Sequence, residues 1–518
     1  MATPHEKLAD SLAVLQTLQA SGRRVFQSKE ISRVHRERLL RNGFVQAVMR
    51  GWLISSSPSA GEGESTPWYA SFWEFCARYS NDRFGDKWHL SPEQSLLLHA
   101  ENTVIPTQAI VYATQGTGNL IKLLFGTSLY DLKQSKLPAP ADVTVHNGLR
   151  LYSPAAAFVK VPEAFFKRYP IESQVALASI RDSSEVLRRL LDGGHSVIAG
   201  RLAGAFRRIG RAELTNEITT TMKAAGYVVS ETDPFTSQQT FGLISPTATP
   251  IVGRIQTMWK TMRETIIEIF PKSPGLPKNQ NKYLKSVDEI YVNDAYHSLS
   301  IEGYSVTPEL INRVRAGNWD PERHDDDRRS RDALAARGYW QAFQTVKTTV
   351  SKIISGENSG TLVRTDHRAW FRELFQPCIA AGLLRPGVIA GFRNEAVYLR
   401  TSRFVPPRWE AVRDAMPVLF DLIEQEPEPG VRAVLAHWLF GYIHPYQDGN
   451  GRMARFLMNA MLASGGYPWT VIRVTDRDAY LSALDRASID MDIRPFAAFI
   501  AERVRWSLDQ ARQSTKNG

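Results

Sequence analysis

The 518-residue sequence predicts a multidomain chain: an N-terminal winged helix-turn-helix, an α+β middle region and an all-α C-terminal domain. Three observations carry this reading. Before Ser57, two short helical stretches lead into the alternating segment Phe44–Ser55, which is the order helix, helix, hairpin. From Trp68 to Pro234, short apolar strands such as Thr107–Tyr112 and Asp142–Tyr152 mix with helical patterns. After Tyr283, helical periodicity runs almost without a break. The expected domains are 1–57, 68–234 and 251–518, parted by the Ser-, Gly-, Glu- and Pro-rich stretch Ser55–Pro67 and by the connections Pro234–Pro250 and Pro271–Gln280.

The first helix, Glu6–Gln19, repeats Leu8, Leu12, Leu15 and Leu18 at helical spacing. Ser28–Ile31 and Arg33–Asn42 follow as helices, the second stopped by Gly43. Around them Arg23, Arg24, Lys29, Arg33, Arg36, Arg38, Arg41 and Arg50 outnumber the acids Glu30 and Glu37. That distribution suits phosphate contacts, so duplex DNA is the expected partner, with Arg33, Arg36, Arg38, Arg41 and Arg50 as its contacts. A basic face that binds protein is the plainer alternative.

In the middle region, helices are expected at Glu172–Arg189 and Gly200–Ala225. Gly116-Thr117-Gly118 lacks a following Gly-Lys-Ser/Thr and reads as a turn rather than a phosphate loop. Beyond it, helices are expected at Val252–Ile269, Val287–Ser300, Pro308–Ala316, Arg328–Ile354, Asp366–Ala381, Pro407–Glu424, Arg477–Ser488 and Pro495–Gln513. His324-Asp325-Asp326-Asp327 precedes Arg328 at a helix start, where carboxylates suit the dipole better than they argue for a metal.

Composition narrows the class. Cys76 and Cys378 lie far apart with no Cys or His at ligand spacing, which excludes a disulfide framework or structural zinc and fits a reducing cytoplasm. Met1–Asp10 is polar and no run approaches a membrane span, so neither a signal peptide nor membrane insertion is expected. The net charge of +10 and pI near 9.4 point to an acidic partner.

One run concentrates the chemistry: His444-Pro-Tyr-Gln-Asp-Gly-Asn-Gly-Arg-Met-Ala-Arg455. Val434, Leu435, Trp438, Leu439 and Ile443 mark a buried helix that delivers His444 at its end, and Arg452–Ala463 reads as a second helix. Between them, Gly449-Asn450-Gly451 offers backbone N–H groups at a helix N-terminus, a cradle for phosphate. Arg452 and Arg455, three apart, leave one face and can clamp polyphosphate oxygens. Asp448 stands where a carboxylate could hold Mg2+ against phosphates. His444 is placed to take a proton from an attacking hydroxyl. His437, seven residues earlier, reads as a core histidine.

This run resembles the signature of Fic-domain proteins, His-Pro-Phe/Tyr-x-Asp/Glu-Gly-Asn-Gly-Arg-x-x-Arg, at every position. The resemblance implies transfer of AMP from ATP to a Ser, Thr or Tyr hydroxyl of a target protein, with ATP and Mg2+ as cofactors. Ser298-Leu299-Ser300-Ile301-Glu302-Gly303 matches a second pattern of that family, the inhibitory motif Ser/Thr-x-x-x-Glu-Gly/Asn. By the resemblance, Ser298, Glu302 and Gly303 close a helix spanning 287–302, and Glu302 forms a bidentate pair with Arg455 that removes its donors from an incoming γ-phosphate. Gly391–Arg400 alternates like a hairpin and sits where the family carries its target flap, here Val397, Tyr398 and Leu399. Tyr480 and Asn459 are candidates for the nucleotide base or ribose. The N-terminal region is similar to AbiEi-type antitoxins, with Arg50-Gly51-Trp52 as the wing. An antitoxin-like DNA-binding regulator whose Fic domain senses nucleotide is therefore the second functional class; retention of His444 favours chemistry, because a sensor needs no base.

Overall fold

The computed structural model describes residues 3–58, 63–235, 249–317 and 331–516. It divides into two compact units, one of Met1–Pro250 with Tyr398–Val405, the other of Ile251–Val397 with Pro406–Gly518.

In the first unit, the helix Pro4–Gln19 opens on a capping box: the Thr3 side chain accepts from the Glu6 amide while Glu6 reaches back to the Thr3 amide. Strand β1 (Val25–Gln27), the helix Arg33–Arg41, β2 (Val45–Met49) and β3 (Trp52–Ser55) follow, and the strands form an antiparallel sheet in the order β1-β3-β2. Leu15, Phe26, Ile31, Leu39, Val45 and Leu53 close one core under it. The other sheet face does not stop at the Ser55–Pro67 stretch. Val25, Val48, Trp52 and Ile54 share a second core with Trp68, Phe72 and Phe75 of the helix Thr66–Phe84. Residues 59–62 of that stretch, and 236–248 of the later connection, lie outside the described residues.

A second sheet runs β4 (Trp88–Leu90), β5 (Gln108–Ala113), β7 (Ser128–Lys133), β6 (Leu120–Lys122), with β5 and β7 parallel, and β8 (Val143–His146) pairs β9 (Leu149–Tyr152) as a hairpin. The Gly116–Gly118 turn wraps the chain's own carboxylate: Asp131 Oδ1 accepts from the amides of Thr117, Gly118 and Asn119 at 2.6, 3.0 and 3.3 Å. The two long helices expected after it are each broken. Pro170–Ala178 and Ser184–Gly193 replace the first, and Ser196–Arg208 and Ala212–Ala224 the second, where Gly210 turns at φ 81°.

The second unit contains only helices among its described residues. Arg331–Ile354 and Ser359–Ala380 pack so closely that a Cβ on Gly338 would stand 2.1 Å from the Leu374 carbonyl oxygen. Overpacking of this kind costs about 1–3 kcal/mol, so a glycine is needed at the crossing. The start expected at Arg328, and His324–Asp327 before it, lie outside the described residues. The helix bearing the short motif spans Gln280–Ile301, longer at its start than the expected 287, with Glu302 as its C-cap. No described helix is long and apolar enough to cross a membrane.

Candidate active site

Two helices and the loop between them build the site. Pro429–Ile443 is buried along Val434, Leu435, Trp438, Leu439 and Ile443. It ends at His444 because Pro445 disfavours right-handed helical backbone in the residue before it. His444 turns instead into the left-handed region, φ 51° and ψ 60°. Its Nδ1 lies 3.2 Å from the Gly441 carbonyl oxygen, a bond that holds the proton on Nδ1 and leaves the Nε2 lone pair available. Burial lowers the ring pKa to about 4 against the opposing effect of that bond, so the imidazole is neutral at pH 7.

The loop then closes on itself. The Tyr446 amide donates to Asn450 Oδ1 at 3.0 Å and Asn450 Nδ2 donates back to the Tyr446 carbonyl at 2.7 Å. Asn450, expected among the phosphate-holding residues, therefore contributes its backbone only; its side chain is a clasp. Gly449 takes φ 83° at the N-cap of Asn450–Ala463, and a Cβ there would lie 2.9 Å from the Phe375 ring. Asp448 Oδ1 accepts from the Gly449 amide at 2.6 Å, which withdraws that donor from the cradle. The first-turn amides without an intrahelical acceptor are those of Asn450, Gly451 and Arg452.

Both arginines are buried, Arg452 at 1% and Arg455 at 4% exposure, so neither is solvated before an anion arrives. The Arg452 guanidinium lies between the rings of Tyr304 and Phe375, at 5.3 and 5.1 Å, with Asp448 Oδ2 at 3.5 Å. Arg455 donates from Nε to Ser298 Oγ at 2.8 Å, and from Nη2 to the Ser298 carbonyl at 3.0 Å and to Glu302 Oε1 at 2.7 Å. The expected bidentate pair is thus a single charged hydrogen bond. Ser298 and Glu302 share a helix face four residues apart, and Ser298 occupies the guanidinium edge that a second carboxylate contact would need.

Burial alone would raise the Glu302 pKa, but Arg455 and then Arg452 outweigh it and hold the carboxyl below its usual range. Burial would likewise lower the Arg455 pKa; Glu302 more than offsets this and raises it. A Cβ on Gly451 would lie 2.2 Å from Glu302 Oε1 and 3.2 Å from Arg455 Nη1, so the carboxylate sits in the mouth of the cradle. One turn before Ser298, the buried Asp294 accepts a hydrogen bond from the Tyr339 hydroxyl at 2.6 Å. Its pKa is raised by burial.

Other expected residues fall elsewhere. His437 is a core histidine, its Nε2 2.7 Å from the Tyr480 hydroxyl and its pKa pushed by burial to about 3. Tyr480 is committed to that contact, and Asn459 is hydrogen-bonded both ways to the Thr470 backbone, at 3.1 and 2.8 Å. Gly391–Arg400 carries no strand. Its Glu395 carbonyl goes to Arg393 instead of a ladder partner, at 3.0 Å. Val397 is half-buried in the second unit, whereas Tyr398 and Leu399 fold with the first, where Arg24 lies over the Tyr398 ring at 5.1 Å.

Sequence reasoning missed Asp294, Tyr304, Tyr339, Phe375 and Arg393. Asp294 had a signal, since it shares the helical stripe of Ser298 and Glu302. Tyr304 adjoins Gly303. The other three are brought in by tertiary packing and carry no local pattern.

A neutral histidine before a helix N-terminus, with two buried arginines on that helix's first turns and one of them paired to a carboxylate, marks a helical domain whose site is suited to anions. Residues 361–462 of that domain match the Fic/DOC family. The chain is 27% identical over 266 residues to protein adenylyltransferase Fic of Nematostella vectensis, covering 51% of this chain and 58% of that protein. It is 32% identical over 122 residues to protein adenylyltransferase fic-1 of Caenorhabditis elegans, 23% of each chain. It therefore spans under two thirds of these curated relatives. A solved fragment of C. elegans Fic-1 aligns with 62% of this chain and 98% of the fragment, at 19% identity and a TM-score of 0.37.

Proposed function

We propose that the protein transfers AMP from ATP to a Ser, Thr or Tyr hydroxyl of a target protein, and that Glu302 holds this activity down. The observation that carries the reading is the placement of the Glu302 carboxylate on Arg455 and against Gly451, at the cradle beside a histidine whose Nε2 is unprotonated. The relatives named adenylyltransferases support it. In the reaction, His444 Nε2 takes the proton as the target oxygen attacks the α-phosphorus. The bond from that phosphorus to the bridging oxygen of the β-phosphate breaks, and pyrophosphate leaves. The amides of Asn450, Gly451 and Arg452 and the two guanidiniums receive the phosphate oxygens.

Among the described residues no three His, Cys, Asp or Glu side chains gather as a metal cluster. A single carboxylate suits Mg2+ that is completed by polyphosphate oxygens and water, and Asp448, 59% exposed, is the residue to hold it. When bound, the ion neutralises charge on the phosphates. Incubating a Glu302→Gly variant with α-labelled ATP and cell lysate tests the reading; absence of labelled protein would overturn it.

The pH dependence follows from the histidine. Its folded pKa lies near 4, below the ordinary 6.5, so the base is already deprotonated across the neutral range. The transfer rate of the Glu302→Gly variant should stay level from pH 8 to about pH 5.5 and fall only below that. A limb centred near 6.5 in the rate profile would contradict the desolvated, neutral ring. Stability moves with the same sign: the unfolded chain takes up this proton below pH 6.5, so the contribution present above 6.5 is lost as pH falls toward 4.

The front end is read as a winged helix that contacts duplex DNA, supported by the β1-β3-β2 sheet whose strands β2 and β3 follow the helix Arg33–Arg41. The cytoplasm is its expected location. Arg33 pairs with Glu37 at 2.8 Å, Arg36 donates to the Ser28 carbonyl at 2.8 Å, and Arg38 donates to Ser11 Oγ at 2.7 Å. Arg41 and Arg50 are exposed and enter no ion pair among the described residues. Fluorescence anisotropy with a labelled duplex should show affinity falling steeply with salt. Changing Arg41 and Arg50 together to Ala should lower the salt slope by about 2. Binding that ignores both changes would favour the protein-binding alternative.

A further inference from the structure

Arg393 is 3% exposed and spends its donors on backbone carbonyls at the root of the catalytic loop. Its Nε donates to the His444 carbonyl at 2.8 Å, its Nη2 reaches the Ile443 carbonyl at 3.4 Å, and its own amide donates to the Pro445 carbonyl at 2.8 Å. Three consecutive carbonyls across the end of the helix therefore answer to one residue. The remaining donors turn the other way: Nη1 donates to the Glu395 carbonyl at 3.0 Å and Nη2 to the Pro407 carbonyl. Those two carbonyls are the start and finish of the segment 395–407.

A non-glycine residue at φ 51° is in a sparsely populated region, and such strain persists only where surrounding structure over-determines it. Arg393 supplies that determination at His444. A guanidinium suits the task, since its fixed fork can serve several carbonyls in different directions, where an ammonium presents a single point.

We propose that Arg393 is the positioning residue of the reaction: it holds His444 in its left-handed conformation and binds that geometry to both ends of segment 395–407. This rests on His444 acting as the base. Through one side chain, the placement of the segment and the aim of Nε2 become a single variable. A displacement of the segment's ends shifts the carbonyl of the histidine itself.

The test uses the full chain with Glu302→Gly and compares Arg393, Arg393→Lys and Arg393→Gln. Arg393→Gln should lose on the order of 10- to 100-fold in kcat for label transfer, because misplacing a reacting group by about 1 Å has that effect. Its KM for ATP should stay within about twofold, since no cradle group is touched. Arg393→Lys should recover only a small part of the loss. The acid limb of the rate profile should move upward in Arg393→Gln as a cation beside His444 is removed; the other charged groups acting on that ring are Asp448, left in place, and Glu302, absent in every variant compared. A fall in kcat with the limb unmoved, or an equal fall in the share of folded protein, would mean a structural role and overturn the proposal.

Hydrogen exchange provides a readout independent of transfer. Peptides covering 440–450 and 394–407 should lose protection together in Arg393→Gln. If only one of them changes, or neither, the coupling is wrong even should the protein carry out some other reaction. Failure of Glu302→Gly to label anything, with the two peptides responding together, would instead remove the assigned reaction and leave the coupling in place.

Discussion

Replacing His444 by Ala in the Glu302→Gly background is expected to reduce α-label transfer by at least 10²- to 10⁴-fold, the usual contribution of a positioned general base. Nucleotide affinity, measured by calorimetry, should remain within about twofold. The two quantities separate because the ring is held apart from the phosphate donors: its Nδ1 is committed to Gly441, while the cradle comprises first-turn amides, Arg452 and Arg455. A variant that transfers as fast as its parent would show that the hydroxyl loses its proton to another group. One that loses nucleotide binding as well would show that His444 serves the cradle rather than the attacking oxygen.

The second large effect is expected at Glu302. Its carboxylate makes one charged hydrogen bond to a guanidinium that is otherwise held by Ser298, at a side chain 27% exposed. A hydrogen bond to a charged group contributes about 1.5–3 kcal/mol. At about 1.4 kcal/mol per factor of ten, removal should raise the transfer rate on the order of 10- to 100-fold. Arg455 stays aligned in Glu302→Gly because Ser298 still accepts from Nε and Nη2, so the vacated donor is presented to phosphate without reorganisation. Combining Glu302→Gly with Arg455→Ala should abolish the gain. If Glu302→Gly alone leaves the rate where it was, the contact is structural and inhibition through this arginine is refuted.

The site was largely legible along the chain because its parts are local. A base, a glycine turn and two arginines within twelve residues require only that the helix stop and restart, and Pro445 and Gly449 ensure both. What could not be read was direction. That Asn450 closes the loop rather than facing outward depends on Tyr446 being buried beside Phe371, with ring centroids 3.6 Å apart. That Glu302 makes one bond and not two depends on Ser298 arriving first at the guanidinium edge. The hairpin expected at Gly391–Arg400 is absent for a similar reason. Alternation from Gly391 to Arg400 promised a ladder, but the buried Arg393, two residues before Glu395, took the carbonyl there. In the N-terminal region, the hairpin within Phe44–Ser55 followed from its alternation, whereas the strand Val25–Gln27 and the helix breaks at 178–184 and 208–212 depend on packing and carry only the weak mark of Gly210.

The 2.2 Å separation between a hypothetical Cβ at position 451 and Glu302 Oε1 bears on how such a protein can change over generations. On the proposed function, any side chain there would displace the carboxylate and so lift the restraint, while the same atoms would occupy the ground the phosphate needs. Loss of restraint and loss of activity are therefore the same mutation at that position. A lineage selecting for an unrestrained variant would have to alter the motif helix, Gln280–Ile301 and its cap, rather than the loop. The loop is thereby exposed to selection twice, once through each state of the molecule, and the helix only once.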